Sequence, residues 1–76
     1  MITNTLKNEN KSTLGERLRA ARVQNGLTLN DGGQIAGMNA SQLSRIETGH
    51  TTNPGITSIK LLADAYGVLL DELMDD

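Results

Sequence analysis

The chain has no cysteine, phenylalanine or tryptophan, and only one tyrosine and one proline among its 76 residues. Without cysteine there are no disulfides, thiolate metal sites or thiol nucleophiles. The remaining apolar set of Leu, Ile, Val, Ala and Met suits short packed helices better than strands. No apolar run approaches the ~20 residues that cross a bilayer, and the N-terminal stretch is too polar for a signal peptide. We therefore expect a small all-α protein in the cytoplasm, with no membrane partner.

Positive charge is also scarce, because the formal net charge is −2 at pH 7. DNA-binding proteins neutralise phosphates, so this value alone argues against a nucleic-acid partner. However, four of the nine acidic residues lie within 71–76, which leaves five of them against seven Lys and Arg in the first 70 residues. The body of the chain is mildly basic and its tail acidic, which permits DNA binding without indicating it.

Start and stop signals divide the chain into an arm and a helical domain. Residues 1–12 are polar and show no apolar period, which predicts a flexible arm followed by one domain over 13–76. Apolar residues at helical spacing, capping residues and stop glycines predict five helices in that domain. They are expected over 14–25, over 29–36, over about 39–48, from Thr57 or Ser58 to Tyr66, and in the short segment LLDELM.

The second of these helices has the weakest local signal. Thr28 and Asp31 form an approximate capping box at its start, and Gly37 marks its end. Gly32 and Gly33 lie in its middle, and each glycine costs a helix interior roughly 0.5–1 kcal/mol relative to Ala. Propensity alone therefore favours a loop at this point.

One segment carries a specific family pattern, GMNASQLSRIETG over residues 37–49. It is preceded by Leu27 and Thr28 and followed by the segments YGV at 66–68 and LDEL at 70–73. With these turn glycines and apolar spacings in register, the chain from Leu14 to Met74 resembles the Cro and phage-repressor (XRE) type of helix-turn-helix domain. The resemblance implies a five-helix, lambda-repressor-like fold. It also implies a homodimeric transcriptional regulator, expected to be a repressor, that binds double-stranded DNA without a cofactor or small-molecule substrate.

In this family the recognition helix, about 39–48 here, places its outward N-terminal residues in the major groove. Arg45 can hold guanine O6 and N7 as a bidentate pair, and the Ala40 methyl can contact thymine. Ser41 and Ser44 can bond to base edges or phosphates. The alternative is that these four residues are merely solvated polar positions.

Contacts to the DNA backbone are expected from the starts of the second and third helices and from the loop after the third. The residues concerned are Thr28, Asn39, Gln42, His50, Thr51, Thr52 and Asn53. Many family members have basic residues in this loop, and this chain has none. The remaining positive charge would come from Arg17, Arg19, Lys60, Lys7 and Lys11. His50 has no second His or Cys to join it, so no metal site is predicted.

Other family positions imply structural roles. Arg22 and Glu47 match the internal ion pair that orients the recognition helix. Gly32 stands where the family usually has a core Leu, so we expect a loosened or irregular second helix. Gly33 stands where a small residue lets two helices approach closely. A last apolar group is expected either to form the homodimer contact or simply to close the core, and it comprises Leu69, Leu70, Leu73 and Met74.

Two other function classes are possible. A protein-interaction module of the same fold, antitoxin-like or partner-binding, would use the apolar end to hold a partner. The net charge and the neutral loop favour that alternative, whereas Arg45 and the complete recognition helix favour DNA. An enzyme is disfavoured, since one His, no Cys, no glycine-rich phosphate loop and no carboxylate pair leave no catalytic set.

Overall fold

A computed structural model describes residues 13–51 and 53–74. These residues form five helices and no strand, which confirms the predicted all-α, five-helix fold. The helices are α1 (Leu14–Gln24), α2 (Leu29–Ala36), α3 (Ala40–Glu47), α4 (Ile56–Tyr66) and α5 (Leu70–Met74). The predicted arm over 1–12, Thr52 and the last two residues of the chain lie outside the described residues.

Capping boxes begin the first three helices. In each box the cap side chain accepts from a backbone N–H three residues on, and that residue's side chain accepts from the backbone N–H of the cap. The hydrogen bonds measure 2.8–3.1 Å, and each box satisfies two backbone donors that the helix cannot pair internally. The pairs are Thr13 with Glu16, Thr28 with Asp31, and Asn39 with Gln42.

The fourth helix begins earlier than predicted. It starts at Ile56 and not at Thr57 or Ser58, and its cap is Gly55, which has no side chain to bond. The backbone of Gly55 is already extended, and its carbonyl accepts from the Ile59 N–H at 3.2 Å. The helix therefore needs no capping side chain to begin there.

Among the described residues, ten aliphatic or aromatic side chains from all five helices form the core. Within α1, Arg22 is buried while its neighbour Val23 is 53% exposed. The buried residues are Leu18, Ala21, Ala36, Leu43, Ile46, Ile59, Leu62, Ala63, Tyr66 and Leu73.

Helix α2 is a continuous helix through both glycines, so the predicted irregularity is absent. A Cβ built on Gly32 would lie 2.6 Å from Leu43 Cδ2 and 2.7 Å from Tyr66 Oη. Favourable contacts between nonbonded heavy atoms fall near 3.5–4.0 Å, so these neighbours already occupy the space of a side chain. Leu43 and Tyr66 thus fill the space that the family's usual leucine side chain would occupy at position 32. Helix α2 is held by packing against α3 and α4.

The C-terminal helix α5 closes the fold against α1. Arg17 Nη1 donates to the carbonyl oxygens of Glu72 and Leu73, both at 3.3 Å. Leu73 is only 3% exposed and belongs to the core, so it is not available for the predicted contact with a second copy. Leu69 and Met74 are 68% and 49% exposed, and Leu70 is half-buried.

Candidate nucleic-acid interface

Helices α2 and α3 are joined by a short turn that depends on glycine at one position. Gly37 has a left-handed backbone conformation, with φ of 73°, which L side chains rarely adopt. The N–H of Met38 then donates to the carbonyl of Gly33 at 2.8 Å, and Asn39 returns to extended backbone before α3 begins. The two helices are thus connected as a helix-turn-helix unit.

Helix α3 has one buried face and one exposed face. Leu43 and Ile46 lie in the core, which fixes the inner face of the helix. Among the predicted base-reading residues, Ser41 and Arg45 are exposed, while Ala40 and Ser44 are half-buried. The helix therefore presents a hydroxyl and a guanidinium to solvent from a rigid support.

The structure brings the predicted ion pair together inside the fold. Arg22 Nε donates to Glu47 Oε2 at 2.8 Å, and its Nη2 donates to Oε1 at 3.1 Å. Arg22 Nη1 also donates to the carbonyl of Leu27 at 2.8 Å, so the guanidinium joins α1, the loop before α2 and the end of α3. The hydrogen bond to Glu47 raises the pKa of Arg22, although burial opposes the rise. This bidentate pair ties the end of α3 to α1, and both charged groups are occupied by it.

The predicted phosphate-binding residues at the helix starts are partly used by the capping boxes. Thr28 Oγ1 accepts from the Asp31 N–H, Asn39 Oδ1 accepts from the Gln42 N–H, and Gln42 Oε1 accepts from the Asn39 N–H. The boxes use the acceptor oxygens, so the Thr28 hydroxyl hydrogen and the amide N–H groups of Asn39 and Gln42 are the donors that suit a phosphate oxygen. The Thr28 N–H in turn donates to Asp31 Oδ2 at 2.9 Å, and hydrogen bonding to Thr28 lowers the pKa of the Asp31 carboxyl.

The loop after α3 folds back onto the end of that helix. The backbone N–H groups of His50 and Thr51 donate to the carbonyl of Arg45, at 2.9 and 3.1 Å. Thr48 Oγ1 donates to the carbonyl of Ser44 at 2.9 Å and lies 2.9 Å from His50 Nδ1. Thr48, which was not among the predicted site residues, therefore connects His50 to α3.

Several predicted site residues line one shallow pocket of about 240 Å³ beside α3. Gln42 and Arg45 come from the helix, Thr51 comes from the loop after it, and Met38 and Ile46 supply an apolar floor. His50 and Asn53, on either side of Thr51 in the sequence, are exposed. The pocket brings a cation, an amide and a hydroxyl to the solvent side of the helix-turn-helix unit.

Some of the cations expected to supplement this surface have other contacts. Arg17 donates to α5, as described above, and Lys60 lies 3.6 Å from Asp64 within α4. Arg19 is exposed on α1. Within 13–51 and 53–74, no group of three His, Asp or Glu side chains could hold a metal ion, and no helix there is long and apolar enough to span a membrane.

The arrangement matches a known family. The profile of the family described as "Helix-turn-helix domain" matches residues 13–76. The chain belongs to the helix-turn-helix domain family. This finding confirms the resemblance inferred from the segment between Leu14 and Met74.

Curated relatives of this helix-turn-helix chain are transcription regulators. It is 39% identical over 62 residues to the HTH-type transcriptional repressor RghR of Bacillus subtilis, covering 82% of this chain and 46% of that protein. It is 37% identical over 62 residues to the HTH-type transcriptional regulator DdrOP3 of Deinococcus deserti, covering 82% and 47%. The chain spans about half the length of the curated relatives it matches.

Solved structures agree with this assignment of the helix-turn-helix chain. SinR, a master regulator for biofilm formation solved in complex with DNA, superposes with a TM-score of 0.76 at 30% identity. That match covers 83% of this chain and 100% of the SinR chain. A chain of the complex between the SinR and SinI proteins gives a TM-score of 0.77 at 30% identity, and the match covers 84% of this chain and 62% of that one.

Proposed function

We propose that this chain is a transcriptional regulator, acting as a repressor, that binds double-stranded DNA sequence-specifically with α3 in the major groove. The observation that carries the proposal is the contrast between the two faces of α3. Its inner face is fixed by Leu43, Ile46 and the buried Arg22–Glu47 pair, and its outer face presents Arg45 and Ser41. The names of the relatives and the DNA complex of SinR support the same function.

The proposed base readout depends chiefly on Arg45, whose guanidinium suits the O6 and N7 atoms of guanine. Ser41 and Ser44 would bond to base edges or phosphates, and the Ala40 methyl would contact a thymine methyl. Backbone contacts would fix the register without reading sequence. The proposed backbone set is Thr28, Asn39, Gln42, His50, Thr51, Thr52 and Asn53.

Selection of bound duplexes from a random library tests this proposal. We expect the wild type to enrich a defined site, and Arg45→Ala to lose the preference at one base pair of each half-site. Arg19→Ala is the matched control, because it removes the same charge from an exposed position outside α3. That variant should at most weaken binding by the same factor for every duplex, without changing any base preference. Absence of any enriched sequence with the wild type would contradict the proposed function.

The proposed working unit is a homodimer, since two copies on half-sites one turn apart multiply the specificity of each domain. The exposed Leu69 and Met74, with the half-buried Leu70, form the apolar surface proposed for the self-contact. Sedimentation should detect a dimer, and Leu69→Asp should shift it to monomer. A wild type that remains monomeric at high concentration would contradict the dimer of the free protein. The place of action is proposed to be the cytoplasm.

One alternative has its own support, namely a protein-interaction module of the same fold. Residues 48–53 contain no Lys or Arg, the net charge is −2, and SinR is also known in complex with the protein SinI. For this alternative, binding to DNA should vanish at modest salt without sequence preference. The selection above, run at two salt concentrations, distinguishes the two functions.

A further inference from the structure

The C-terminal end of α3 packs directly against the backbone of α1 at Gly15. A Cβ built on Gly15 would overlap the carbonyl oxygen of Ile46 and lie 2.6 Å from that of Glu47. Gly15 lies in the first turn of α1, so the positive end of its dipole meets the negative end of α3. Only a residue without a side chain allows the two helices to approach this closely.

The N-terminal end of α3 packs against a second glycine, on a different helix. A Cβ on Gly33 of α2 would lie 2.5 Å from the carbonyl oxygen of Met38 and 3.1 Å from the carbonyl carbon of Asn39, the cap of α3. At both ends the neighbouring atoms belong to the backbone, which cannot rotate away as a side chain can. Gly32 differs in this respect, because its neighbours are side-chain atoms.

We propose that Gly15 and Gly33 are positioning residues for base recognition, each of which sets the depth of one end of α3 in the major groove. The inference rests on the proposed DNA-binding function. Arg45 lies in the last turn of α3, near the Gly15 contact, and Ser41 lies in its first turn, near the Gly33 contact. A side chain at either glycine would displace one end of α3 more than the other.

The test compares base preferences position by position. Selection with the wild type and Arg45→Ala first identifies the base pair read by Arg45. Gly15→Ala should then reduce the preference at that base pair by roughly fivefold or more while it retains preferences at the other positions. Gly33→Ala should instead retain the preference at the base pair read by Arg45 and reduce the preferences at the other positions. Gly55→Ala is the control, since a Cβ there meets nothing within 4 Å, and it should retain every preference even if it loses some stability.

The outcomes separate this inference from the proposed function. If the wild type enriches no sequence, the result contradicts the proposed function itself. A wild type that enriches a site, with glycine variants that keep its pattern or lose all preferences uniformly, overturns only the positioning role. Each variant is checked for helical content by circular dichroism, and an unfolded variant is measured again in sucrose, which favours the compact state. A variant that stays unfolded there also overturns the inference, because the glycine then decides folding and not placement.

Discussion

Replacing Gly32 with alanine should destabilise the domain, although alanine is the better helix former. In an open helix interior this substitution would stabilise by about 0.5–1 kcal/mol. Here the new Cβ would lie 2.6 Å from Leu43 Cδ2 and 2.7 Å from Tyr66 Oη. Leu43 is fully buried and Tyr66 nearly so, so neither can move into solvent. Overpacking of this kind costs about 1–3 kcal/mol, which leaves a net loss of about 1 kcal/mol in the free energy of unfolding.

Urea unfolding, followed by the circular dichroism of the helices, measures this loss. For a domain of this size, 1 kcal/mol should also lower the Tm by about 4–8 °C. The Tyr66→Phe background provides the control, because it removes one of the two clashing atoms. The alanine should cost less there, by about 0.5 kcal/mol or more. An alanine variant that is more stable than the wild type by the full helix-propensity gain would refute the packing around Gly32.

Three further perturbations test the buried ion pair, the core and the capping box of α2. Glu47→Gln leaves Arg22 buried with its charge uncompensated, and should lower the free energy of unfolding by about 3–5 kcal/mol; a loss below about 1 kcal/mol would contradict a buried pair. Burial raises the pKa of Tyr66 above its ordinary value of 10.0. The free energy of unfolding, measured in urea, should therefore hold its full value below pH 10 and decrease as the pH rises above about 10. Tyr66→Phe should lack this decrease. The bonds from Thr28 lower the pKa of Asp31 below its ordinary value of 3.8. The contribution of the Asp31 carboxylate to the free energy of unfolding should therefore be present above pH 3.8 and be lost as the pH falls through the lowered pKa. Asp31→Asn should abolish this acid dependence.

Local signals were sufficient to predict most of the fold. The Thr28 capping box and Gly37 predicted the bounds of α2 at 29–36, as the structure has them. They could not show why the helix stays regular through Gly32. That reason lies in Leu43 and Tyr66, which are distant in sequence and close in space, so tertiary packing overrides the weak propensity.

The candidate site was less predictable where a role depends on direction or on close approach. Arg22 and Val23 are sequence neighbours that point about 100° apart on a helix, and the resemblance to the family, not the apolar period, indicated which one faces inward. Leu73 looked available for a partner because an apolar residue near the end of a chain can face either way. The sequence offers one weak signal for Gly15, which is a glycine in the first turn of a helix. The reason for the glycine is visible only in the structure, where the carbonyl groups at the end of α3 leave no room for a side chain.

The most direct test of the account is the contact between Arg45 and guanine. The affinities of wild type and Arg45→Ala would be measured for the selected duplex and for the same duplex with 7-deazaguanine, which lacks the N7 acceptor, at the assigned position. We predict that the modified base weakens wild-type binding by roughly fivefold or more and leaves the binding of Arg45→Ala unchanged. Equal losses for the two proteins, or no loss for the wild type, would show that Arg45 does not read that base.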